Sequence, residues 1–289
     1  MSDFPLRVGV VTAQQHRTWP ELAETWTLIE ALGFDTAWVY DHLLPASGDP
    51  DGACLEAWTV LAALASRTRR LRIGVLVTAA TFRHPVVLAK EATTLDHLSD
   101  GRLELGLGAA WYAAEHAAYG VAFPPPAERV DRLAEGLEII RRLWTDDHPT
   151  FAGRFYQLDN APFAPRPLQH PHPPIVVAGK GRRMLGVVGR YADNWNMSGT
   201  PADFARSGPL VTRAALAAGR NPAQIRWSVG LGSAPFESAD AFEQTVDSYV
   251  AVGVCDFMLN WPEVVHLATV QDIAARSLPR LRKRHAATG

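Results

Sequence analysis

The sequence lacks the features that mark secreted, membrane-spanning and nucleic-acid-binding proteins. Its two cysteines, Cys54 and Cys255, are too few for the disulfide framework of a small secreted domain. No apolar run reaches the roughly 18 residues that a membrane-spanning helix needs, and the first five residues have no charged-then-apolar leader pattern. The net charge of -2 gives no general attraction to nucleic acid or to an anionic membrane. We therefore expect a soluble, cytoplasmic protein without a nucleic-acid or membrane partner.

Motifs for hydrolysis and for metal catalysis are also missing. No Gly-x-Ser-x-Gly sequence supports a serine hydrolase. His170 and His172 have a spacing that metal ligands use, but they lie in a proline-rich stretch and no helical His–Glu pair accompanies them. We therefore expect no catalytic metal.

The sequence does contain eight short, nearly continuous apolar runs, separated by longer stretches with a helical period. Buried parallel strands have this composition because helices cover their outer face. The runs are residues 8–12, 36–40, 71–77, 103–107, 175–178, 192–197, 225–231 and 255–259. Eight strand-then-helix units close into a barrel, whereas the alternative, a doubly wound open sheet, usually has about five to seven strands. We predict an α/β fold of the (β/α)8 TIM-barrel class, formed by residues 1–289 as a single domain.

Helix patterns in the intervening stretches support this count. Thr18 and Thr200 each precede a carboxylate by three residues with a proline between, which is typical of a capped helix start. Two apolar stripes step by three and four residues, as the buried face of a helix does. Their members are Leu88, Ala92, Leu95 and Leu98 in one stripe, and Val130, Leu133, Leu137, Ile140 and Trp144 in the other.

One segment, residues 146–174, interrupts the alternation of strands and helices. It holds seven prolines and a hairpin-like stretch at residues 150–156, in which Ala152 and Gly153 are predicted to form the turn. We interpret it as an insertion between the fourth unit and the fifth strand. Long ordered loops of this kind are often lids or binding loops, and a proline-stiffened surface connector is the alternative.

The loops that follow the strands build the active site of a β/α barrel. Residues 179–183, with the sequence Gly-Lys-Gly-Arg-Arg, follow the predicted fifth strand and precede a helix. Glycines let backbone N–H groups approach an anion, and Lys180 and Arg182 add positive charge. The segment matches neither a P-loop nor a dinucleotide fingerprint. It predicts an anion site, with an ordinary tight turn as the alternative.

A second candidate, the pair Asp41 and His42, ends the predicted second strand. A carboxylate beside an imidazole orients the ring and holds a proton near neutral pH. The alternative is a packing pair that caps the next turn. Trp111 and Trp261 also lie at strand ends, where we expect them to contact a ligand.

Several segments together make the chain similar to the luciferase-like monooxygenase family, and within it to the branch that uses the deazaflavin coenzyme F420. They are residues 33–42, 82–85, 89–90, 94–108, 123–126, 128–129, 173–179 and 191–196. The resemblance implies a β/α barrel with one long insertion. It also implies a flavin or deazaflavin in the barrel mouth, against a cis peptide bond between Leu76 and Val77, with the phosphate near residues 179–183.

The resemblance further assigns the site residue by residue. His42 and Asp41 are the catalytic candidates, since an Asp-His pair at this place matches the deazaflavin-dependent relatives. The substrate pocket is assigned to Trp111, Tyr112 and Trp261. The residues expected to contact the cofactor are Asp41, Leu76, Val77, Thr78, Gly108, Ala109, Ala178, Gly179, Lys180, Gly181 and Arg182.

The implied function is hydride transfer between carbon five of F420 and a small organic substrate, by a protein that forms a homodimer. The sugar-phosphate dehydrogenase of the family has a carboxylate where this chain has Trp111, so the resemblance does not favour that substrate and leaves no general acid at this position. Two alternatives stay open. One is an FMN-dependent monooxygenase that uses reduced flavin and O2, and the other is a catalytically silent barrel that binds flavin.

Overall fold

Eight parallel strands form a closed barrel in the computed structural model of the chain, which describes residues 4–286. They are β1 (Arg7–Val11), β2 (Thr36–Val39), β3 (Arg72–Val75), β4 (Leu103–Gly108), β5 (Ile175–Ala178), β6 (Asn194–Met197), β7 (Arg226–Leu231) and β8 (Asp256–Asn260). Each strand pairs with the next, and β8 closes the barrel on β1, where Leu259 lies opposite Val10. The predicted TIM barrel is confirmed, and each strand begins and ends within two residues of its predicted run. The predicted single domain includes residues 1–3 and 287–289, which lie outside the described residues, and it stays a prediction.

Helices cover the outer face of the strands. They are α1 (Trp19–Ala31), α2 (Ala57–Arg67), α3 (Pro85–Leu98), α4 (Ala113–Ala118), α5 (Pro126–Thr145), α6 (Arg182–Tyr191), α7 (Pro201–Ala217), α8 (Ala239–Val250), α9 (Leu267–Asp272) and α10 (Leu278–Arg284). The predicted caps are present, because the N–H groups of Thr18 and Thr200 donate to the carboxylates of Glu21 and Asp203 at 2.7 Å. Within residues 4–286 no helix has the length and apolarity needed to cross a bilayer.

The two predicted apolar stripes differ in outcome. Four members of the α5 stripe are buried, and the fifth, Val130, is half-buried. In α3 the prediction for Leu98 is wrong, since this side chain is 58% exposed. The buried face of α3 continues from Leu95 to Asp96 and to the cap residue Ser99, four residues on from Leu95, so Leu98 points away from the barrel.

The insertion at residues 146–174 contains a short hairpin, but its turn is not the predicted one. Phe151–Ala152 pairs with Gln157–Leu158, so residues 153–156 form the turn. The carboxylate of Glu135 on α5 accepts hydrogen bonds from three N–H groups of this turn, at 2.9, 2.9 and 3.3 Å. A side chain from outside the segment therefore fixes a four-residue turn where local sequence predicted two residues.

The insertion begins and ends at the amino-terminal end of the barrel, while its hairpin packs beside α5 and brings the ring of Tyr156 to 5.2 Å from that of His84, the cap residue of α3. It leaves the end of α5 and enters β5 at its first residue, and the connections from helix to strand lie at this end. The side chain of Gln169 binds Asp96 at 2.7 Å and the carbonyl of Leu103 at 2.8 Å, both near the start of β4. These contacts favour the proline-stiffened connector over the lid.

The same end of the barrel is closed by a buried cluster of charges. Arg7 of β1 donates to Glu104 of β4 at 2.6 Å and also to Asp256 of β8. Arg72 of β3 donates to Glu104 at 2.5 Å, and Asn194 of β6 donates to Asp256 at 3.0 Å. Because five strands contribute, the cluster connects opposite sides of the barrel.

Candidate functional site

A cavity of about 960 Å³ opens at the carboxyl ends of the strands. Of the predicted site residues, all line this cavity except Thr78, Tyr112 and Arg182. No residue of the 146–174 insertion lines it. The structure therefore brings most of the predicted residues together at the end of the barrel where β/α barrels carry their sites.

The three exceptions lie next to the cavity. The Thr78 hydroxyl is buried and has no hydrogen-bond partner among the described residues. Tyr112 stacks on Trp111 with ring centroids 5.2 Å apart, and its ring is 5.8 Å from that of His42. Arg182 is exposed in the first turn of α6. Within residues 4–286 no group of three His, Cys, Asp or Glu side chains forms a candidate metal site.

His42 is held by a carboxylate that the sequence analysis missed. Its Nδ1 lies 3.0 Å from Oε1 of Glu115, whose other oxygen accepts the N–H of Leu43 at 2.9 Å. Glu115 comes from α4, four residues after Trp111, and its side chain is 2% exposed. At the position directly after β4, where the family resemblance placed a carboxylate, this chain has Trp111. Four residues later, Glu115 supplies a carboxylate to the cavity wall.

Asp41 does not orient His42, contrary to the interpretation of the pair from sequence. Its carboxylate accepts the N–H of Ala79 at 2.9 Å and a guanidinium hydrogen of Arg83 at 2.7 Å. Burial raises the pKa of Asp41, and the charge of Arg83 opposes that rise. Asp41 lines the cavity, but its hydrogen bonds fix the segment that follows β3.

That segment forms one wall of the cavity. β3 ends at Val75, the Leu76–Val77 peptide bond is cis as the resemblance implied, and Thr78–Ala79 then pair with β4. Gly108 lies against this wall, because a Cβ atom added at Gly108 would meet Cγ2 of Val77 at 2.6 Å. Only glycine leaves Val77 undisturbed at this contact.

The glycine loop at residues 179–181 forms another wall. The N–H of Gly179 donates to the Asn196 carbonyl at 3.0 Å, and its carbonyl accepts from the indole of Trp195 at 2.9 Å. Gly181 caps α6 without a side-chain hydrogen bond. Lys180 is exposed at the rim, whereas Arg183 is paired with Asp131 of α5. The loop therefore offers the start of a helix and one cation to an anionic group.

The remaining wall carries polar residues that were not among the predicted site residues. They include Arg17 and Gln15 after β1, Tyr40 after β2, Ser198 after β6 and Asn260 at the end of β8. The Tyr40 hydroxyl donates to Asn260 at 2.6 Å, and burial raises the pKa of Tyr40. Each lies within a few residues of a strand end, which is the signal that would have identified it.

The geometry agrees with the comparison to known proteins. The model of the luciferase-like monooxygenase family matches residues 4–288, so the chain belongs to this family. It is 36% identical over 191 residues to the F420-dependent glucose-6-phosphate dehydrogenase of Amycolatopsis mediterranei, with 66% of this chain and 56% of that protein covered. The F420-dependent hydroxymycolic acid dehydrogenase of Mycobacterium tuberculosis is 32% identical over 219 residues, with 75% and 60% covered. The chain thus spans somewhat more than half the length of these two relatives.

Solved structures show the same fold. An F420-dependent secondary alcohol dehydrogenase in complex with an F420-acetone adduct superposes with a TM-score of 0.84 at 19% identity, covering 94% of this chain and 98% of that one. At this identity the match concerns the barrel and its connections.

Proposed function

We propose that the protein is an oxidoreductase that uses coenzyme F420 to transfer a hydride to or from a small organic molecule. The observation that carries the proposal is the cavity, which brings together the glycine loop ahead of α6, the Leu76–Val77 wall and His42 with its carboxylate partner. The relatives named above supply the choice of F420 over FMN. Self-association into a homodimer is a further prediction, which sedimentation velocity measures.

The residues of the cavity fit a deazaflavin. Its tail is anionic, which suits Lys180 and the free N-terminus of α6. Its ring is flat, which suits the wall where Gly108 lets Val77 and its neighbours approach without a side chain between them. Leu76, Val77, Gly108, Ala109, Gly179, Lys180 and Gly181 would hold the coenzyme.

The bound coenzyme would supply hydride exchange at its carbon five. The chain supplies the proton. The carboxylate of Glu115 accepts from Nδ1 of His42, so Nε2 is the ring nitrogen that remains to exchange a proton with the substrate. Trp111, whose ring meets that of His42 edge-on at 5.6 Å, and Trp261 limit the space beside this nitrogen. This arrangement suits an alcohol or a carbonyl compound, which gains or loses one proton with each hydride.

Titration with F420, monitored by quenching of tryptophan fluorescence, tests the proposal. We expect wild-type protein to bind F420 with a Kd on the order of micromolar. Gly108→Ala displaces Val77 and is expected to weaken binding about tenfold, which corresponds to ~1.4 kcal/mol. Gly186→Ala, where an added Cβ meets no atom within 4 Å, is the matched control and keeps the wild-type Kd. Lack of F420 binding by the folded wild type, or O2-dependent turnover with reduced FMN, would contradict the proposal.

A further inference from the structure

The cavity carries two positive charges that its own carboxylates do not neutralise. Its charged lining residues, apart from His42, are Arg17, Asp41, Glu115 and Lys180. Asp41 is bound to Arg83, and Glu115 is bound to His42 and to the N–H of Leu43. Arg17 and Lys180 form no hydrogen bond or ion pair with other side chains within residues 4–286. Lys180 interacts electrostatically with Asp203 of α7, but that carboxylate accepts the N–H and hydroxyl of Thr200 and does not pair directly with Lys180. An anionic ligand would therefore gain a direct ionic partner in this cavity.

The two cations stand on opposite sides of the barrel mouth. Arg17 follows β1 and Lys180 follows β5, and these strands are four positions apart in a closed barrel of eight. The anionic tail of F420 accounts for Lys180 in the proposed function. It leaves Arg17, on the far side of the cavity, without an assigned ligand.

The loop that carries Arg17 is held in place by the segment that follows β2. The side-chain amide of Gln15 accepts the N–H of Ala46 and donates to the Ser47 hydroxyl, both at 2.8 Å. The N–H of His16 donates to the carbonyl of Ala53 at 2.7 Å. Glu21, the carboxylate that interacts electrostatically with Arg17, already accepts the N–H and hydroxyl of Thr18. Arg17 is thus presented from a fixed loop, with its guanidinium available to a ligand.

We propose that Arg17 binds an anionic group of the substrate, so that the substrate is an alcohol or carbonyl compound that also carries a carboxylate or a phosphate. The alcohol or carbonyl part of this inference rests on the proposed function. The anionic group is inferred from the cavity alone. A guanidinium pairs with either oxyanion through two parallel hydrogen bonds. The remainder of the substrate would then extend toward His42, along the wall formed by Tyr40 and Trp261.

The test compares charged and neutral probes of one shape. Benzoate and benzamide differ in charge and little in size, and inorganic phosphate represents the other anion. Each is titrated by ligand-observed NMR at constant ionic strength, with and without F420. The proteins are wild type, Arg17→Gln, Arg17→Lys, Lys180→Gln and the matched control Arg213→Gln, which removes an exposed charge on α7. A separate titration of each protein measures the Kd for F420 and so tests the proposed function independently.

We expect wild type to prefer benzoate or phosphate over benzamide. Arg17→Gln should weaken the preferred anion about tenfold or more while changing benzamide less than about twofold, as loss of a charge-assisted bond predicts. Arg17→Lys should lie between the two, and Arg213→Gln should match wild type. The anion that loses affinity identifies the substrate group as carboxylate or phosphate. The inference is overturned if wild type binds neither anion, if Arg17→Gln keeps the ratio of anion to benzamide affinity, or if only Lys180→Gln loses anion binding. If wild type binds F420 but Arg17→Gln leaves anion binding unchanged, this inference is overturned and the proposed function is not.

Discussion

Glu115 determines the tautomer of His42, because its carboxylate requires a proton on Nδ1. An ionised carboxylate only accepts hydrogen bonds, so Nδ1 at 3.0 Å must be the donor. The second oxygen of Glu115 accepts the N–H of Leu43 and thereby fixes the carboxylate itself. The ring of His42 is then constrained by Glu115 on one side and by Trp111 and Tyr112 on the others.

We predict that Glu115→Gln lowers kcat about a hundredfold, near the lower limit of what a positioned acid–base group contributes. The amide removes the negative charge that stabilises a protonated His42 but keeps the shape of the side chain. The rate of F420 reduction measures kcat, and fluorescence titration measures the F420 Kd, which should stay within about twofold because the glycine loop is untouched. Glu237→Gln, at an exposed carboxylate of the described chain, is the control. An unchanged kcat would show that Glu115 does not act through His42.

The partner of His42 illustrates what sequence reasoning provides at this scale. His42 itself was predictable, because the end of a barrel strand is a recognisable place. The hypothesis that Asp41 orients it was wrong, because the carboxylate of Asp41 binds Arg83 and the N–H of Ala79 instead. Glu115 lies 73 residues away in the chain, so only the pairing of β2 and β4 with β3 between them brings it to the imidazole.

Among the elements, α4 was the hardest to interpret from sequence. α4 has six residues and no side-chain cap, so it offers neither an apolar stripe nor a start signal. The position of the insertion, in contrast, was predictable from topology. A segment that leaves a helix and enters a strand must begin and end at the amino-terminal end of a β/α barrel. That its hairpin would reach the ring of His84 at the start of α3 was not predictable.

We predict that Glu135→Ala loosens the hairpin of the insertion and leaves the cavity unchanged. Three N–H groups lose their acceptor, which costs on the order of 1–3 kcal/mol of local stability. Hydrogen exchange of residues 151–158 should accelerate, while the F420 Kd stays at the wild-type value. Asp159→Ala, at an exposed carboxylate of the same segment, is the control. If Glu135→Ala weakened F420 binding, the insertion would have to communicate with the barrel mouth.

For the whole molecule, the barrel was readable from the sequence because its strands are buried on both faces. Eight apolar runs gave eight strands, and family resemblance gave the same fold. The charges at the amino-terminal end were not anticipated. Glu104 sits inside the apolar run 103–107 and Arg7 directly precedes the run 8–12, so neither stands out until strands from opposite sides meet.

This charge cluster makes stability depend on acid pH. Burial alone would raise the pKa of Glu104, but Arg7 and Arg72 outweigh it and hold the pKa at about 2, below the ordinary value of 4.5. The ionised form is therefore favoured by folding. Its contribution is complete above about pH 4.5 and is lost as the pH falls toward 2. Burial raises the pKa of Asp256, so Asp256 does not add to this loss.

We predict that Glu104→Gln lowers the free energy of unfolding at neutral pH by about 3 kcal/mol, because Arg7 and Arg72 lose the buried carboxylate that they share, although Arg7 keeps Asp256 and Arg72 keeps Gln169. Urea unfolding, followed by tryptophan fluorescence, measures the free energy of unfolding at about pH 7 and at about pH 3. Wild type should lose stability between these values of pH by a larger amount than the variant does, and the two should approach each other in acid. Glu237→Gln should follow wild type throughout. If wild type and Glu104→Gln lost the same free energy of unfolding between these values of pH, carboxylates elsewhere would cause the acid sensitivity. The charge cluster would then connect the strands without contributing to that sensitivity.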